Sequence, residues 1–582
     1  MSAPKRKKEP FEVPASQVLI KKKKEDIFGT SLMRLQNTNT LNSKESRKLM
    51  EQATEAGLDF KHPFQHSATQ DEPEEGKAYS NAARSFRRWQ RQSQVWGELY
   101  WATIPVWNRK KKETETALIP FLLPHQVMSQ YLALEGTWNE GMPAPGTFLY
   151  AELSKVCAAW KEPVQGMFPL AIHGDGVPVQ GRMNQSTLDF LTFNLPGSLK
   201  KASVRIPICC LDAQYNCGAE TIEAIWSIIA WSLESLGKGK HPCTRHDGSP
   251  FSPKEKTSLD KAGQNMPGKC ALVHIRGDWD FFCKWLGVPQ FNVLEGMCWR
   301  CSCRPNQWKE WGRGDRMEKS LSKAQFLESV RSRGKVQAAI FRLPGFTNHN
   351  VHPDWMHTVD EGLGALICGQ VLSHLLPEYG KNKDEQIKNL WKDIQELYTK
   401  FQVPWDKRLA KLTLLDIKKP KRVAELDAKA NDIRHFALWL ESLCKAKSLR
   451  KGNMLQKAVY NVARFCTEMY KALENFDPPG LVANGEKLLS QYMALEACFA
   501  AADDDQSWHS KPKCHLLQHI LDDVHTKGLC PKDTWTYRDE TFGSTLQGFY
   551  TRRGGHRNVG LESERVLLAF MSTQPWLGAH TA

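Results

Sequence analysis

Two short apolar runs, each followed by a glycine and an aspartate, constrain the fold of this chain most strongly. Residues 168–173 precede Gly-Asp175-Gly, and residues 270–275 precede Arg-Gly-Asp278. Apolar runs of this length that end at glycine are typical of buried strands, and Gly-Asp-Gly predicts a tight turn after the first strand. The two aspartates are therefore expected at the ends of two strands.

Around these runs the pattern alternates between strand and helix. Further strands are predicted at 190–193 and 204–211, and an amphipathic helix follows at 221–236. The order strand, strand, strand, helix, strand predicts a mixed α/β sheet. Past residue 355 the pattern is almost wholly helical, with helices predicted at 356–376, 384–401, 421–444, 454–473 and 485–501.

The chain carries an excess of positive charge. Its 582 residues include 79 Lys and Arg against 64 Asp and Glu, which leaves a net charge of +15. Such a charge favours DNA, RNA or an acidic membrane surface as a partner, although a soluble basic protein has the same composition. No secretory signal is visible, and residues 222–236 are too few to span a membrane. We therefore expect an intracellular protein whose 16 cysteines are thiols or metal ligands.

Three basic regions are candidates for DNA contact. The clusters at 5–8 and 21–24 are typical of a nuclear-import signal or a DNA-contacting arm, or else of a solvated tail. Between 82 and 107 basic and aromatic residues mix, which suits either a phosphate backbone or a helix whose Trp residues face a core. A glycine-containing turn at 551–558 is the third region. The residues predicted to contact DNA are Arg87, Arg88, Arg91, Arg552, Arg553 and His556.

The two strand-end aspartates are candidate metal ligands. Mg²⁺ and similar ions prefer carboxylate oxygens, and a neighbouring glycine leaves room for a phosphate. If the two strands are neighbours, Asp175 and Asp278 share one metal pair, the arrangement used for in-line phosphoryl displacement. The alternative is that Gly-Asp-Gly is only a turn.

A cysteine cluster, Cys298-Trp-Arg-Cys301-Ser-Cys303, offers half of a zinc site. Unligated thiols and redox activity are the alternatives, although no thioredoxin-like strand and helix surround the cluster. The other zinc ligands are expected to be Cys303 or one of the more distant residues Cys243, His246, His349, His352 and His357.

Two later motifs place acids and histidines near helix starts. His352, Asp354 and His357 open the first predicted helix of the helical region, where they either contact a metal or phosphate or cap the helix. Asp539 and Glu540 precede the basic turn at 551–558, so a metal ligand and residues that contact DNA phosphates are expected side by side. The alternative is that the two acids lie on a surface helix and form ion pairs there.

In order, these motifs resemble the core of eukaryotic DDE-type transposases of the CACTA/hAT-like kind. The resemblance covers roughly residues 165–570. It rests on Gly-Asp175-Gly, on Gly-Asp278-Trp-Asp-Phe-Phe with the following Leu-Gly-Val-Pro, on the cysteine cluster, on Asp354-Trp-Met-His357 before a glycine-containing helix, on Pro-Lys-Cys-His515-Leu-Leu-Gln-His519, and on the Asp539-Glu540 helix.

The resemblance implies an RNase H-like fold with three catalytic acids and a helical insertion between the second and third. By motif the acids are Asp175, Asp278 and Glu540, which would hold two Mg²⁺ or Mn²⁺ ions and cut a DNA phosphodiester. Asp280 is the rival for the second acid. The rivals for the third acid are Asp539, Glu562 and Glu564.

These expectations give an α/β plus α fold in five segments. They are a disordered basic tail (1–80), a helical candidate DNA-binding segment (81–160), an RNase H-like core with the cysteine-rich element (161–345), an all-helical insertion (346–510), and a C-terminal part of the core with the third acid (511–582).

Three functions of different classes follow from these expectations. The first is a nuclear, metal-dependent transposase that cleaves and transfers DNA strands at transposon ends, with a homo-oligomer implied by the resemblance. The second is a domesticated or decayed relative that binds DNA without cutting it. The third is a protein-interaction module centred on the cysteine cluster.

Overall fold

The computed structural model describes residues 98–133, 142–180, 185–194, 205–305, 307–310, 312–419, 422–502, 507–551 and 558–572, together with residue 52. Apart from residue 52, the predicted disordered tail (1–80) lies outside the described residues. All six residues predicted to contact DNA also lie outside them, namely Arg87, Arg88, Arg91, Arg552, Arg553 and His556.

A two-stranded antiparallel hairpin comes first. Strand β1, Tyr100–Asn108, pairs along its whole length with β2, Glu113–Phe121. Ala102, Ile104 and Val106 are buried at alternate positions, which is the period of a strand and not of a helix. The prediction that 81–160 is helical is therefore wrong over this hairpin.

Two helices complete that segment and lead to the sheet. Helix α1, Pro124–Tyr131, and helix α2, Phe148–Trp160, agree with the helical patterns in this part of the sequence. Thr147 caps α2 by accepting a hydrogen bond from the backbone N–H of Tyr150. The buried face of α2, which includes Leu153 and Val156, packs under the sheet that follows.

The central sheet has four strands, β3 (Met167–Gln180), β4 (Gln185–Asn194), β5 (Arg205–Asp212) and β6 (Lys269–Arg276). Their order is β5-β4-β3-β6. The β3–β4 and β4–β5 pairs are antiparallel, whereas β6 is parallel to β3. The predicted mixed α/β class and its four strands are confirmed.

A long amphipathic helix makes the crossover between β5 and β6. Helix α3, Ala219–Lys238, buries one face that includes Ile225, Trp226 and Ile229, and it ends where Gly239 adopts a left-handed conformation. Strands β5 and β6 run parallel, so the chain must return to the end of the sheet where β5 begins before it can form β6. A short turn cannot make this return, and a helical crossover can. The helix predicted at 221–236 is thereby confirmed.

Strand β3 runs straight through Gly-Asp175-Gly, so the predicted tight turn is wrong. Asp175 pairs with Phe190 of β4 in mid-strand. A Cβ atom at Gly174 would overlap the ring of Phe281, and one at Gly176 would lie 2.7 Å from Thr187 Cγ2. The two glycines are therefore needed for close packing on the face opposite Asp175, and not for a turn.

Helix α4 (Lys256–Lys261) lies between α3 and β6. Three short helices occupy the connection from the sheet to the helical region, namely α5 (Trp279–Leu286), α6 (Arg313–Glu318) and α7 (Lys323–Ser332). Asp278 caps α5 by accepting a hydrogen bond from the backbone N–H of Phe281 at 2.6 Å.

The helical region begins with a π-helix, Met356–Gly364, which continues directly into α8, Ala365–Leu375. Six further α-helices follow in this region, α9 (Lys383–Lys400), α10 (Leu414–Ile417), α11 (Ala430–Ala437), α12 (Leu440–Ala446), α13 (Met454–Asn475) and α14 (Pro478–Ala500). The single helix predicted at 421–444 is wrong, because its first part is irregular and the remainder is divided between α11 and α12.

The last part of the chain returns to the sheet. It forms α15 (Lys513–Lys527), α16 (Pro531–Thr534), α17 (Tyr537–Thr551) and α18 (Val559–Ser572). Helix α17 packs on β3, and α18 packs on β2 and β5.

Two large hydrophobic clusters of described residues result from this arrangement, besides the small one under α2. The first joins the sheet, the hairpin, α3 and the last two helices, and the second fills the helical region and includes Cys298, Cys301 and Cys303. Helix α15 lies between them, because Leu516 belongs to the first cluster while Leu517 belongs to the second. Within the described ranges, none of the helices has the length and apolar character that crossing a membrane requires.

Candidate metal centres

The first candidate centre lies where helix α17 meets strand β3. Because side chains alternate along a strand, Asp175 shares a face of β3 with His173 and Val177. A Cβ atom at Gly543 would lie 2.9 Å from Val177 Cγ1, so glycine lets α17 approach this face closely. Glu540, in the first turn of α17, is thereby brought next to Asp175.

The two acids and a histidine converge there. One carboxylate oxygen from Asp175, one from Glu540 and one ring nitrogen of His173 all lie within 4.8 Å of one another. Asp175 and Glu540 are partly exposed, whereas His173 is fully buried. Two of the three acids predicted from the sequence therefore lie at one place, together with a histidine that was not predicted.

The crowding of these acids changes the protonation of Glu540. Burial, followed by the nearby charge of Asp175, raises the pKa of Glu540 to about 9. Two carboxylates this close do not both ionise readily unless a cation lies between them. A hard divalent cation would relieve the repulsion, which makes the pair a candidate site for Mg²⁺ or Mn²⁺.

Asp539, the nearest rival for the third acid, is engaged elsewhere. It is fully buried, and its Oδ1 atom accepts hydrogen bonds from Arg205 Nε at 2.6 Å and from Asn194 Nδ2 at 3.1 Å. Arg276 Nη2 lies 3.6 Å from the Oδ2 atom. Asp539 thus anchors α17 to the sheet through buried arginines, and its neighbour Glu540 is the acid that meets Asp175.

The other rivals for the third acid also have partners away from this group. Glu562 Oε2 lies 3.3 Å from the hydroxyl of Tyr550, which itself donates a hydrogen bond to Asp212 at the end of β5. Glu564 is buried on α18 and is not among the residues that converge on Asp175.

Asp278 lies beside the converging acids but not among them. Burial raises the pKa of its carboxyl group, to which the charge of Asp175 also contributes. With Asp354 and His357 it lines a cavity of about 240 Å³. Its rival Asp280 is exposed on helix α5. The pKa of Asp278 therefore responds to the charge of Asp175, although one of its own oxygens is engaged as a helix cap.

Asp354 and His357 connect the helical region to the helix that carries Glu540. Asp354 Oδ2 accepts hydrogen bonds from the backbone N–H of His357 at 2.8 Å and from the hydroxyl of Thr536 at 3.0 Å. His357 Nδ1 lies 2.8 Å from the same oxygen, and Nε2 lies 3.6 Å from Glu540 Oε1. The motif therefore caps a helix start, which is one of the two roles predicted for it, and His357 also approaches Glu540.

The acids around His357 keep it charged. Burial alone lowers the pKa of this histidine, but the hydrogen bond to Asp354 and the charges of Asp354 and Glu540 outweigh burial and raise it to about 9. A protonated imidazole therefore balances part of the negative charge of the site.

The second candidate centre is built from two cysteines and two histidines. Cys298 Sγ lies 3.3 Å from His519 Nε2, and Cys301 Sγ lies 3.4 Å from the Nε2 atoms of both His515 and His519. All four side chains are buried. With a tetrahedral zinc at ordinary bond lengths, sulfur and nitrogen ligands are roughly 3.5 Å apart. These four residues therefore have the spacing of a structural zinc site.

A buried ion pair holds the two halves of this centre together. Arg300, between the two cysteines, forms two hydrogen bonds of 2.8 Å with the carboxylate of Asp523 on α15. Its backbone N–H donates to Cys298 Sγ at 3.3 Å. Burial raises the pKa of the Cys298 thiol, so a cation is needed to stabilise its thiolate.

The predicted ligand Cys303 does not join this group. Its Sγ atom lies 3.5 Å from the carbonyl oxygen of Arg304 instead. The other distant candidates also have different surroundings; for example, His246 contacts the Tyr100 hydroxyl and His349 contacts Ser320. The sequence analysis did not predict His515 and His519 as ligands. Their spacing of four residues places them on one face of a helix, and this spacing could have indicated a pair of metal ligands.

In comparisons with known proteins, no family model matches the chain, and no curated protein matches it either.

Proposed function

We propose that this protein is a DDE-type nuclease or transposase with an RNase H-like core. The observation that supports this proposal best is the convergence of Asp175 and Glu540 within 4.8 Å, from positions 365 residues apart in the chain. Asp175 comes from a central strand, Asp278 follows the parallel neighbouring strand, and Glu540 comes from a late helix. A helical region separates the second acid from the third, as the resemblance implies.

In the proposed reaction the acids hold divalent cations and the surrounding residues orient the substrate. Asp175 and Glu540 would bind one Mg²⁺ or Mn²⁺ ion, and Asp278 would complete the site for a second one. When bound, such ions lower the pKa of the attacking water or hydroxyl and stabilise the charge on the phosphate. Protonated His357, 3.6 Å from Glu540, is placed to attract a phosphate at the same position.

DNA is the proposed substrate, and the nucleus is the proposed compartment. The net charge of +15 favours a polyanion, and the basic clusters near residues 5–8 and 21–24 suit nuclear import. The cavity beside Asp278, at about 240 Å³, also contains Lys513, whose amino group donates to the carbonyl oxygen of His357 at 2.7 Å.

The Cys298, Cys301, His515 and His519 centre is proposed to bind structural zinc. Its four ligands come from the loop after the sheet and from α15, so zinc would join the core to the segment that leads back from the helical region. A closed site with four protein ligands supports structure, because catalytic zinc keeps one position open for water.

A non-catalytic DNA-binding protein of the same fold is the second candidate. Asp278 favours it, because this acid is not in the converging group and its carboxylate already accepts a hydrogen bond at the start of α5. In such a protein the acids would be inherited without a role in cleavage.

Metal-dependent cleavage of labelled DNA tests the proposal. A mixture of genomic fragments is incubated with the protein in Mn²⁺, and cleavage is followed on sequencing gels. We expect Asp175→Asn and Asp278→Asn to lower the cleavage rate more than about 1000-fold. Asp280→Asn is the matched control, since it removes the exposed neighbouring acid, and it should change the rate by less than about twofold.

Equal activity of the wild type and Asp175→Asn would contradict the catalytic proposal. DNA binding without cutting by any of these proteins would favour the non-catalytic candidate.

A further inference from the structure

We propose that His173 is a direct metal ligand beside Asp175 and Glu540, which makes this a mixed nitrogen and oxygen site that prefers Mn²⁺ to Mg²⁺. The inference rests on the proposed function, because it concerns the same metal site. It goes beyond that function by adding a ligand and a metal preference that three acids alone do not imply.

The position of His173 follows from the geometry of β3. Residues two apart on a strand point to the same face, so the side chains of His173 and Asp175 both face α17. Gly174, between them, points to the opposite face, where the Phe281 ring fills the space. One ring nitrogen of His173 is within 4.8 Å of a carboxylate oxygen of Asp175 and of one of Glu540.

These distances are compared with those around one ion. Ligand atoms bound at about 2.1 Å to an octahedral cation are about 3.0 Å apart when adjacent and about 4.2 Å apart when opposite. The three ligand atoms lie within 4.8 Å of one another, so side-chain movements that bring them closer together would let them hold one cation.

The hydrogen bonds of His173 are what point to a ligand. The residue is fully buried, and neither Nδ1 nor Nε2 has a hydrogen-bond partner. One Glu540 oxygen, Oε1, is buried and makes no hydrogen bond either, although His357 Nε2 lies 3.6 Å from it. Buried polar atoms without hydrogen bonds are costly and rare, and a cation bound by both residues would satisfy one ring nitrogen of His173 together with Glu540 Oε1.

A second buried histidine shows that lack of a partner is not sufficient for a metal site. His274 on β6 is also buried with both ring nitrogens unpartnered, but its ring packs against His352 with centroids 5.7 Å apart. Within the described residues, His274 belongs to no group that can hold a metal. Its position on the neighbouring strand makes it a matched control for His173.

The metal preference follows from the ligand chemistry. Mg²⁺ strongly prefers oxygen ligands, whereas first-row transition metals accept imidazole nitrogen more readily. One imidazole and two carboxylates should therefore bind Mn²⁺ more tightly than Mg²⁺. Removing the imidazole should lower the affinity for Mn²⁺ at least about 10-fold, since even residues that only orient a ligand change affinity by about 10- to 100-fold. The affinity for Mg²⁺ should change less.

Electron paramagnetic resonance of bound Mn²⁺ tests the inference without measuring activity. Tag-free, zinc-loaded protein is titrated with Mn²⁺, and pulsed spectra are examined for the ¹⁴N coupling of a coordinated imidazole. We expect this coupling in the wild type, its loss in His173→Gln, and its retention in His274→Gln and in His357→Gln. The zinc occupies the Cys298 centre and keeps Mn²⁺ from the histidines there.

The outcomes separate the inference from the proposed function. Mn²⁺ that binds in the wild type, is lost in Asp175→Asn and shows no ¹⁴N coupling would overturn the role of His173 while leaving the acid site intact. Coupling that survives in His173→Gln would overturn it as well. Mn²⁺ binding that does not depend on Asp175 would overturn both proposals. The presence or absence of ¹⁴N coupling in the wild-type spectrum tests the role of His173 even if the His173→Gln variant does not fold.

Discussion

The two candidate metal centres differ in what their ligands do when no cation is present. At the Cys298 centre, four buried side chains converge with tetrahedral spacing, and the Arg300–Asp523 ion pair fixes both halves. At the Asp175 centre, the carboxylates of Asp175 and Glu540 repel each other, and Asp278 lies outside the converging group. A closed site of the first kind stabilises a fold, whereas an open site of the second kind leaves coordination positions for a substrate.

The proposed roles therefore assign stability to one centre and function to the other. Cys298 and Cys301 belong to the second hydrophobic cluster, and their centre joins segments more than 200 residues apart in the chain. The Asp175 centre lies on the face of the sheet where α17 approaches, and Asp539 anchors that helix to the sheet. Three changes in stability test this separation.

The largest effect is expected from loss of the zinc site. Structural zinc contributes about 10–16 kcal/mol of apparent binding free energy in small zinc-finger peptides. We expect Cys301→Ser to lower the free energy of unfolding by more than about 4 kcal/mol, as measured by chemical denaturation. Metal analysis should find one zinc per wild-type chain and none in the variant. Cys303→Ser, in the same loop, is the control and should keep the zinc.

The next effect distinguishes two adjacent acids on α17. Asp539→Ala leaves Arg205 and Arg276 buried without their counter-charge, which typically costs about 3–5 kcal/mol. Glu540→Ala removes a repelled carboxylate and should not lower stability in metal-free buffer. Equal losses in the two variants would contradict the assignment of Asp539 as the anchor and Glu540 as the metal ligand.

The smallest effect is the pH dependence that Glu540 introduces. Its pKa is raised to about 9 in the folded protein, so the folded state binds a proton that the unfolded state releases near its ordinary value of about 4.3. This contribution to stability is present in full below that value and is lost as the pH rises toward 9.

We therefore expect Glu540→Gln to exceed the wild type in metal-free stability at pH 8 by at least about 1 kcal/mol, with a smaller difference at pH 5. Thermal unfolding in a chelating buffer measures this difference. A difference that grows as the pH falls would show that Glu540 is not held in its protonated form.

The sequence predicts the sheet well because each of its strands contains an apolar run. It assigns Asp175 to the right strand but to its end, whereas β3 continues through Gly-Asp175-Gly to Gln180. The space at Gly174 is filled by Phe281 from another element, and no local pattern reveals such a contact. The hairpin at 100–121 was missed because the Arg and Trp residues between 84 and 101, most of which precede it, suggested a helix. The structure shows instead that burial alternates with period two along its first strand.

The ligand sets depend on contacts that the sequence does not contain. His515 and His519 have helical spacing that suggests a pair, but only the fold places them next to cysteines 214 to 221 residues earlier. Asp539 and Glu540 are equivalent candidates in the sequence. Arg205 and Arg276, from two separate strands, decide between them.

Anomalous scattering from one crystal tests the central claim, that the two centres bind different metals for different purposes. Crystals are grown with Mn²⁺, and data are collected above and below the zinc edge and at a wavelength where Mn²⁺ scatters anomalously. The account predicts zinc among Cys298, Cys301, His515 and His519, and Mn²⁺ between Asp175 and Glu540. Zinc at the first centre with no Mn²⁺ peak between the two acids would contradict it.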